Sequence, residues 1–489
     1  MEGKTTREAG QRFALVGLLA VFALLIGGGA ARAEPGNLDP TFGVGGLVTA
    51  PVGSGSFAEA LALQPDGKIV VAGTGWGAGI TVARYTVDGW LDPTFGTGGT
   101  TAVGGDDVQA WAVALQADGK IVVAGRTLAF PYGSFALVRF NPDGSLDHSF
   151  GSGGMVTTQI GQQSSAWAVA VQPDGRIVAG GGSWDGTTEG FGLARYEPDG
   201  SLDPSFGSGG TVRTLENGLG DVRALALQTD GKIVAVGDGF SLARYEPNGS
   251  LDATFGSHGV VRTENGYAYA AALQPDGKVV VAGGLGPFVV ARFATDGSPD
   301  TTFGSGGTVQ TRFAPGFGGA RGVAIQPDGR IVAAGGAQDG VIDTFALARY
   351  NPDGSLDPAF GSGGKVVTGF SSGFHFVWAD ASGLALQPDG KIVVAGWAQT
   401  MTGGGVPTFA LARYLVSPGC RVPDVRRMRL AVAETTFSAA RCAVGTVTRT
   451  WSRKVGKGRV VSQRPAPGTG LIAGAKINLV ISKGRRKLR

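Results

Sequence analysis

Short apolar runs of strand length, separated by turn residues, fill most of this chain, and over residues 37–416 no apolar stripe returns with helical spacing. The stretch LALQPDGKIVV (61–71) sets the pattern. LALQ and KIVV read as the arms of a hairpin. Between them proline presets φ, aspartate suits the next corner and glycine accepts the positive φ that follows. Seven copies of this turn begin at Gln64, Gln116, Gln172, Gln228, Gln274, Gln326 and Gln387. Two other signatures keep step with it. An ARY-like strand recurs at Arg84, Arg139, Arg195, Arg244, Arg292, Arg349 and Arg413, and an LDxTFG-like segment ends at Gly43, Gly96, Gly151, Gly207, Gly256, Gly304 and Gly361. The turn glycines are 46 to 61 residues apart, so a constant unit carries loops of variable length.

Each unit predicts four strands, a to d, which in the second unit fall at 110–116, 120–125, 134–140 and 153–158. Four short antiparallel strands at a period of about fifty residues predict β-propeller blades, each burying both faces only by stacking on its neighbours. Ala112 and Ala114 alternate with Val113 and Leu115 along strand a, as expected for a strand near a crowded axis. The seventh unit ends at Arg413-Tyr414 with no d strand after it, whereas 38–43 and 45–50 stand before the first strand a. The N-terminal segment is therefore expected to complete the seventh blade and close the ring.

QPDGKIVVAG (64–73), FALARYNPDGSLDPAFG (345–361) and GGKVVT (363–368) resemble the delta-60 repeat family of exported bacterial proteins. The resemblance covers about residues 37–416. It implies a propeller-like repeat domain and brings no particular activity with it.

Composition adds three points. Glycine makes up 87 of 489 residues, which the number of turns accounts for. Lys4, Arg7 and Arg12 ahead of the apolar run from Phe13 to Ile26, with Ala31-Arg32-Ala33 after it, predict a signal peptide over 1–33. The run is too short for a comfortable membrane span, so no transmembrane anchor is expected after cleavage. At the 417–419 linker the charge balance turns over: 420–489 hold 17 Lys and Arg against 2 Asp and Glu, while the rest of the chain holds 25 against 36.

VPDV (422–425), the amphipathic RLAVAETTFSAA (429–440), VGTVT (444–448) and GRVVSQRPAPGTGLIAGAKINLVISKG (458–484) together resemble a PASTA domain spanning 420–484, with 485–489 left as a basic tail. The resemblance implies a helix on a three-stranded sheet and a possible peptidoglycan ligand. The whole fold is thus expected to be mainly β: a seven-bladed β-propeller closed by its N-terminal strand, then a small α+β PASTA-like domain. Cys420 and Cys442, the two cysteines of an exported chain, are expected to form a disulfide. Metal binding would need more ligands than these and three scattered histidines supply.

Catalytic chemistry needs convergent titratable residues, and few are visible. His148, His258 and His375 fall in three different units, and the PDG aspartates lack the spacing of a calcium loop, so no catalytic residue, metal or cofactor is expected. The aspartates of LDxTFG (Asp39, Asp92, Asp147, Asp203, Asp252, Asp300, Asp357) and the ARY arginines recur once per unit. That recurrence assigns them to the blades: each arginine is expected to meet a carboxylate and carbonyls of its own or the next blade, with the phenylalanine of TFG plugged between blades.

Ligand recognition is expected where the repeat varies. The b–c and d–a connections share one end of the ring and carry Trp76, Phe130, Tyr132, Trp184, Phe317, Phe374, Phe376, Trp378 and Trp397. Five residues before each turn glutamine stand Glu59, Trp111, Trp167, Arg223, Tyr269, Arg321 and Ser382, a set expected to face a channel mouth. Of these, Trp111, Trp167, Arg223 and Arg321 join the loop aromatics as candidate ligand residues. In the basic domain Arg453, Lys454, Lys457, Arg459 and Arg464 are candidates for contact with peptidoglycan or an anionic wall polymer. Nucleic acid is not an expected partner, because no aromatic pattern accompanies the basic residues.

These readings converge on an exported, non-enzymatic binding or scaffold protein of the bacterial cell envelope, secreted or wall-associated, whose propeller recognises a glycan or protein. A propeller hydrolase or lyase acting on extracellular polysaccharide is the competing expectation. It requires two carboxylates facing each other across the channel, drawn from Glu59, Asp106, Asp107, Glu189, Asp221 and Asp380. A purely structural repeat is the third.

Overall fold

Residues in strand Ile69–Gly75 divide by parity between two hydrophobic cores, and the same division organises the whole ring. Ile69 and Val71 pack with Val393 and Leu411 on one side, while Val70 and Ala72 pack with Ile121 and Val123 on the other. Both faces are buried, which is why these strands read as unbroken apolar runs instead of alternating with polar residues. The computed structural model describes residues 34–485 except 129–131, 216–218, 264–265, 314–317, 339–342, 371–376, 401–404, 417–419, 472–473 and 475. The expected signal peptide, Phe130, Phe317, Phe374, His375, Phe376, the linker and residues 486–489 lie outside the described residues.

Seven four-stranded antiparallel sheets form the ring. In blade 1 the strands are Ser56–Leu63, Ile69–Gly75, Gly79–Tyr85 and Thr100–Gly104; in blade 2 they are Val108–Leu115, Ile121–Thr127, Phe135–Phe140 and Met155–Thr158. Strand a of blade 2 starts two residues earlier than expected, and its partner begins one residue later. Blade 7 combines Val377–Leu386, Ile392–Thr400 and Thr408–Tyr414 with Leu47–Ala50, where Leu47 pairs with Ala412 and Ala50 with Phe409. The N-terminal strand thus closes the ring as expected. Seven hydrophobic clusters, one between each pair of neighbouring blades, replace a single core.

Buried charge links these interfaces at the end of the ring that carries the uniform turns. In blade 1 Arg84 donates from Nε to Asp92 Oδ2 at 2.9 Å and from Nη2 to Thr94 Oγ1 at 3.0 Å, and its guanidinium lies 4.7 Å from the Phe95 ring centre. Its Nη1 reaches the carbonyl of Pro142 in blade 2. Each following blade repeats the reach: Arg139 to Pro198, Arg195 to Pro247, Arg244 to Thr295, Arg292 to Pro352 and Arg349 to Val416. Arg413 of blade 7 bonds Asp39 Oδ2 at 2.9 Å and the carbonyl of Val87 in blade 1, which completes the circle. A second cation from the a–b turn joins every aspartate, Lys68 on Asp92 at 3.1 Å and Arg176 on Asp203 at 3.3 Å among them. Backbone follows the same path, with Gly96 N–H donating to the Asp143 carbonyl and Gly43 N–H to that of Asp88, both at 2.7 Å.

The smaller domain has the expected helix, Leu430–Ala439, and a three-stranded sheet in which Lys476–Ser482 lies between Ala443–Thr450, parallel to it, and Val460–Arg464, antiparallel. Phe437 and Ala433 of the helix meet Val460, Ile477, Leu479 and Ile481 in a separate core. A two-stranded antiparallel pair joins Cys420–Arg421, ahead of the helix, to Gly470–Leu471, after it. The side chain of Cys420 lies outside the described residues, and the expected pairing with Cys442 with it. No helix among the described residues is long and apolar enough to cross a membrane.

Two predictions follow from the charged links. Asp203→Asn leaves the buried Arg195 and the partly exposed Arg176 against a neutral amide and is expected to cost about 3–5 kcal/mol, read as a lowered thermal midpoint; Asp174→Asn in the exposed turn is expected to cost under about 1 kcal/mol. Burial alone would raise the acid groups of Asp92, Asp147, Asp252 and Asp300. Hydroxyl and amide donors from Thr94, Ser149, Thr254 and Thr302, with the paired cations, overcome it and hold them well below the usual carboxylate range. A depressed folded-state value stabilises above the unfolded value near 4 and is lost below it. Acid titration by circular dichroism should therefore show the ring losing stability as the pH falls below about 4.

Candidate functional site

Every innermost strand carries one β-bulge, and the extra residue is the one that differs from blade to blade. The register slips at Glu59, Trp111, Trp167, Arg223, Tyr269, Arg321 and Ser382. A bulge leaves its extra residue unpaired and re-aims its side chain. Here the residue before each bulge is fully buried, as at Ala58, Ala110 and Ala166, while the bulged side chain stays partly exposed. The glycine that ends the VVAG run faces this distortion across the sheet. A Cβ on Gly73, Gly125, Gly181, Gly237, Gly283, Gly335 or Gly396 would stand 1.7–2.0 Å from a carbonyl oxygen two residues ahead of the bulge. A glycine inside an otherwise regular strand was thus the sequence signal for the bulge.

Stacked rings and ion pairs recur among the bulged residues and the residues two positions before them. Trp111 and Trp167 stack at 3.7 Å with planes 19° apart. Arg126 covers Trp111 at 5.4 Å and Arg223 covers Trp167 at 4.2 Å, so these indoles do not offer two open faces to a sugar. Arg223 also pairs with Asp221 at 3.0 Å and Asp238 at 3.3 Å. Further round, Arg321 lies 5.2 Å over Tyr269 and pairs through Nε with Asp380 at 3.2 Å. Of the aromatics expected in loops, Trp397 instead lies inside the strand Ile392–Thr400 and Trp184 ends the strand Ile177–Trp184; Phe57 contacts Trp76 at 6.4 Å and Trp397 at 5.2 Å, and Tyr132 lies 6.1 Å from Trp184. Trp378 is 37% exposed at the start of its strand.

Acid groups here behave oppositely to those of the inter-blade links. Burial pushes Glu59 up to about 7, with Arg321 drawing it down and Asp380 pushing it further up. Asp221 rises to about 6, again through burial first, against the pull of Arg223 and with Asp238 and Glu189 adding to the rise. Asp380 is raised by burial in spite of Arg321, with Asp343 contributing. Glu59, Arg321 and Asp380 come from blades 1, 6 and 7, so ring closure is what brings them together. Beside them a cavity of about 270 Å³ is lined by Tyr269, Arg321, Gln338, Asp343, Asp380 and Trp397.

Asp106 is occupied otherwise, its Oδ1 accepting the N–H of Gly77 at 2.8 Å. Tyr267, Gln109 and Gln338 belong to this neighbourhood although no repeat signature marked them; Tyr267 stacks 6.2 Å from Tyr269, and Gln109 holds Arg126 at 3.1 Å. His148 and His258 lie in exposed turns, and the described residues hold no cluster of three or more metal-ligating side chains. In the smaller domain Lys457 lines a second cavity, whereas Arg459 is engaged with the Arg427 carbonyl at 2.9 Å. Arg453, Lys454 and Arg464 lie outside that cavity's lining.

A family model described as a domain of unknown function (DUF5122) β-propeller matches residues 64–95, 116–150, 172–206, 228–255, 274–303, 326–360 and 387–416. A PASTA domain model matches 421–483, and a WD domain, G-beta repeat model matches 153–188. Among solved structures, the WD40 β-propeller domain of Doa1 is 12% identical with a TM-score of 0.46, covering 75% of this chain and 95% of that one. The extracellular domain of a putative hybrid two-component system from B. thetaiotaomicron is 10% identical with a TM-score of 0.41, covering 73% and 39%.

Because Glu59 binds its proton more tightly when folded, it costs stability as the pH rises from about 4 to 7. Glu59→Gln should remove that cost: the variant is expected to match the wild type at pH 4 and exceed it by about 3 kcal/mol at pH 8, measured by denaturation at both values. A pH-independent difference would contradict the assignment. Gly181→Ala, which forces a Cβ onto the Ser165 carbonyl, should destabilise the ring by about 3 kcal/mol or more, read from the same melts.

Proposed function

For this chain, a DUF5122 β-propeller protein with a C-terminal PASTA domain, we propose a non-enzymatic binding role at the bacterial cell envelope. The propeller's loop face recognises a glycan or protein, and the basic module holds the protein to peptidoglycan or another anionic wall polymer. One observation carries the reading. Seven blades repeat the same turn, the same arginine link and the same glycine, yet at the bulge they present Glu, Trp, Trp, Arg, Tyr, Arg and Ser. The frame needs none of these side chains in particular, and burying Glu59 there works against stability; such a position is kept for what it contacts.

Export with removal of residues 1–33 belongs to the same proposal, as does a Cys420–Cys442 disulfide. The latter is supported by a buried Cys442 that is not free, and non-reducing against reducing mass measurement tests it. A hydrolase or lyase is the second reading, favoured by one feature, the raised acid groups of Glu59 and Asp380 beside Arg321. Release of reducing ends from wall or capsular polysaccharide, abolished by Glu59→Gln, would establish it in place of binding alone.

The deciding experiment is co-sedimentation with purified cell-wall sacculi. Full-length protein, a form ending at Val416 and the Arg321→Gln variant are compared at low and high salt. Wall binding that disappears with the C-terminal domain and survives Arg321→Gln is the expected result. Equal sedimentation of the full-length and shortened forms would remove the module from the role.

A further inference from the structure

The PASTA domain builds a pocket at the shared end of its two parallel strands. Ala443–Thr450 and Lys476–Ser482 pair in parallel, and beyond an irregularity at 445–446 the register runs from Val447 opposite Leu479 to Thr450 opposite Ser482. The residues that follow, Trp451 and Lys483, therefore leave the sheet side by side. Lys483 N–H donates to the Thr450 carbonyl at 2.7 Å, Ser452 N–H donates to the Gly484 carbonyl at 3.0 Å, and the Lys483 ammonium stands 6.0 Å from the indole centre. Arg449 precedes Trp451 by two residues and so shares its side of the strand. The third wall is the turn at 457–458, fixed by Gly458 N–H to the Ser482 carbonyl at 2.9 Å. Gly484 takes a φ of +92°, a left-handed backbone that favours glycine at this point of the chain. Together these segments enclose about 370 Å³ lined by Arg449, Trp451, Lys457 and Lys483 with Leu430 and Ile481.

The domain's own stability does not account for this arrangement. Trp451 is 52% exposed and lies outside the domain's hydrophobic core. Of the two acidic residues in 420–489, Asp424 is held by Arg426 at 2.6 Å, and no ion pair to Arg449, Lys457 or Lys483 occurs among the described residues. Three cations without acidic partners around one exposed indole form a site for a ring that lays an apolar face on the indole and carries negative charge. A nucleic-acid strand calls for successive stacking platforms, and Trp451 and Phe437 are the domain's aromatic residues, the latter fully buried.

We infer that this pocket binds a carboxylated sugar of an acidic glycan, the ring resting on Trp451 and the carboxylate held by Arg449, Lys457 and Lys483. The inference rests on the envelope role proposed above. A carboxylate on the ring itself places charge and stacking surface in one small cavity, whereas a charge between successive sugars would fall outside it.

The test is affinity electrophoresis of the full chain in gels containing polygalacturonate, neutral dextran or single-stranded DNA. Polygalacturonate should retard the protein and dextran should not. Trp451→Ala is expected to weaken retardation about tenfold in Kd, Lys483→Ala to weaken it and flatten its salt dependence, and Lys476→Ala, an equal charge loss at an exposed position outside the pocket, to change it less than about twofold. Trp451→Phe, which keeps an apolar ring, should recover part of the loss, and an unshifted thermal midpoint confirms that the variants fold. Equal effects of Trp451→Ala and Lys476→Ala, tighter binding of the DNA than of polygalacturonate, or no retardation would each overturn the inference. Sacculus sedimentation of the same variants separates the two levels: sacculi left unbound by a protein that still binds polygalacturonate through Trp451 would remove the wall role and leave this pocket.

Discussion

The bond from each blade's arginine to its own aspartate and to a carbonyl of the next blade is the interaction on which the rest of this structure depends. A guanidinium presents donors in a fixed fork, and here the fork is divided between two blades, so that stacking and charge satisfaction become one event. Burying an ion pair repays its desolvation only when every donor is used, and Arg84 illustrates the requirement with a carboxylate, a hydroxyl and a neighbouring carbonyl. The chain of contacts is circular. Arg413 finds its carboxylate in Asp39, 374 residues away in sequence, so the final blade cannot satisfy its charge until the N-terminal strand has arrived.

With the frame held at one end, the opposite end is free to vary. The bulge is what couples the two: it bends the inner strand, spends one glycine on the facing strand, and turns one residue per blade out of the packed interface. The side chain at that position owes nothing to its neighbours in the core. Glu59, Trp167 and Arg321 can therefore occupy equivalent places on blades whose frame is otherwise the same.

Aspartates and glutamates illustrate how context assigns opposite roles to one chemistry. Asp92 and Asp380 are both largely removed from water, which raises a carboxyl in either place. Asp92 has two hydrogen bonds from Thr94 and two cations, and remains ionised. Asp380 has one arginine, which Glu59 also feels, together with the nearby charge of Asp343. The number of donors supplied by the local turn, and not burial, decides which acid is structural and which is available.

Much of this was legible in the sequence because the repeat states it seven times. Strand length, turn type, the blade count, the exchange of the last strand to the N-terminus and the pairing of the recurring arginine with the recurring aspartate all follow from local rules and from periodicity. The sequence also singled out, by its variability, the position that the structure shows to be the bulge. What it did not reveal is how those residues meet. Trp111 and Trp167 were separate candidates until the ring stacked them against each other, and Glu59, Arg321 and Asp380 became a cluster only when the first blade came round to the last. Trp451 and Lys483, thirty-two positions apart, likewise became neighbours through a parallel strand pairing. Local propensity and hydrogen-bonding pattern depend on residues close in sequence, whereas a site depends on closure and register, which only the packed chain decides.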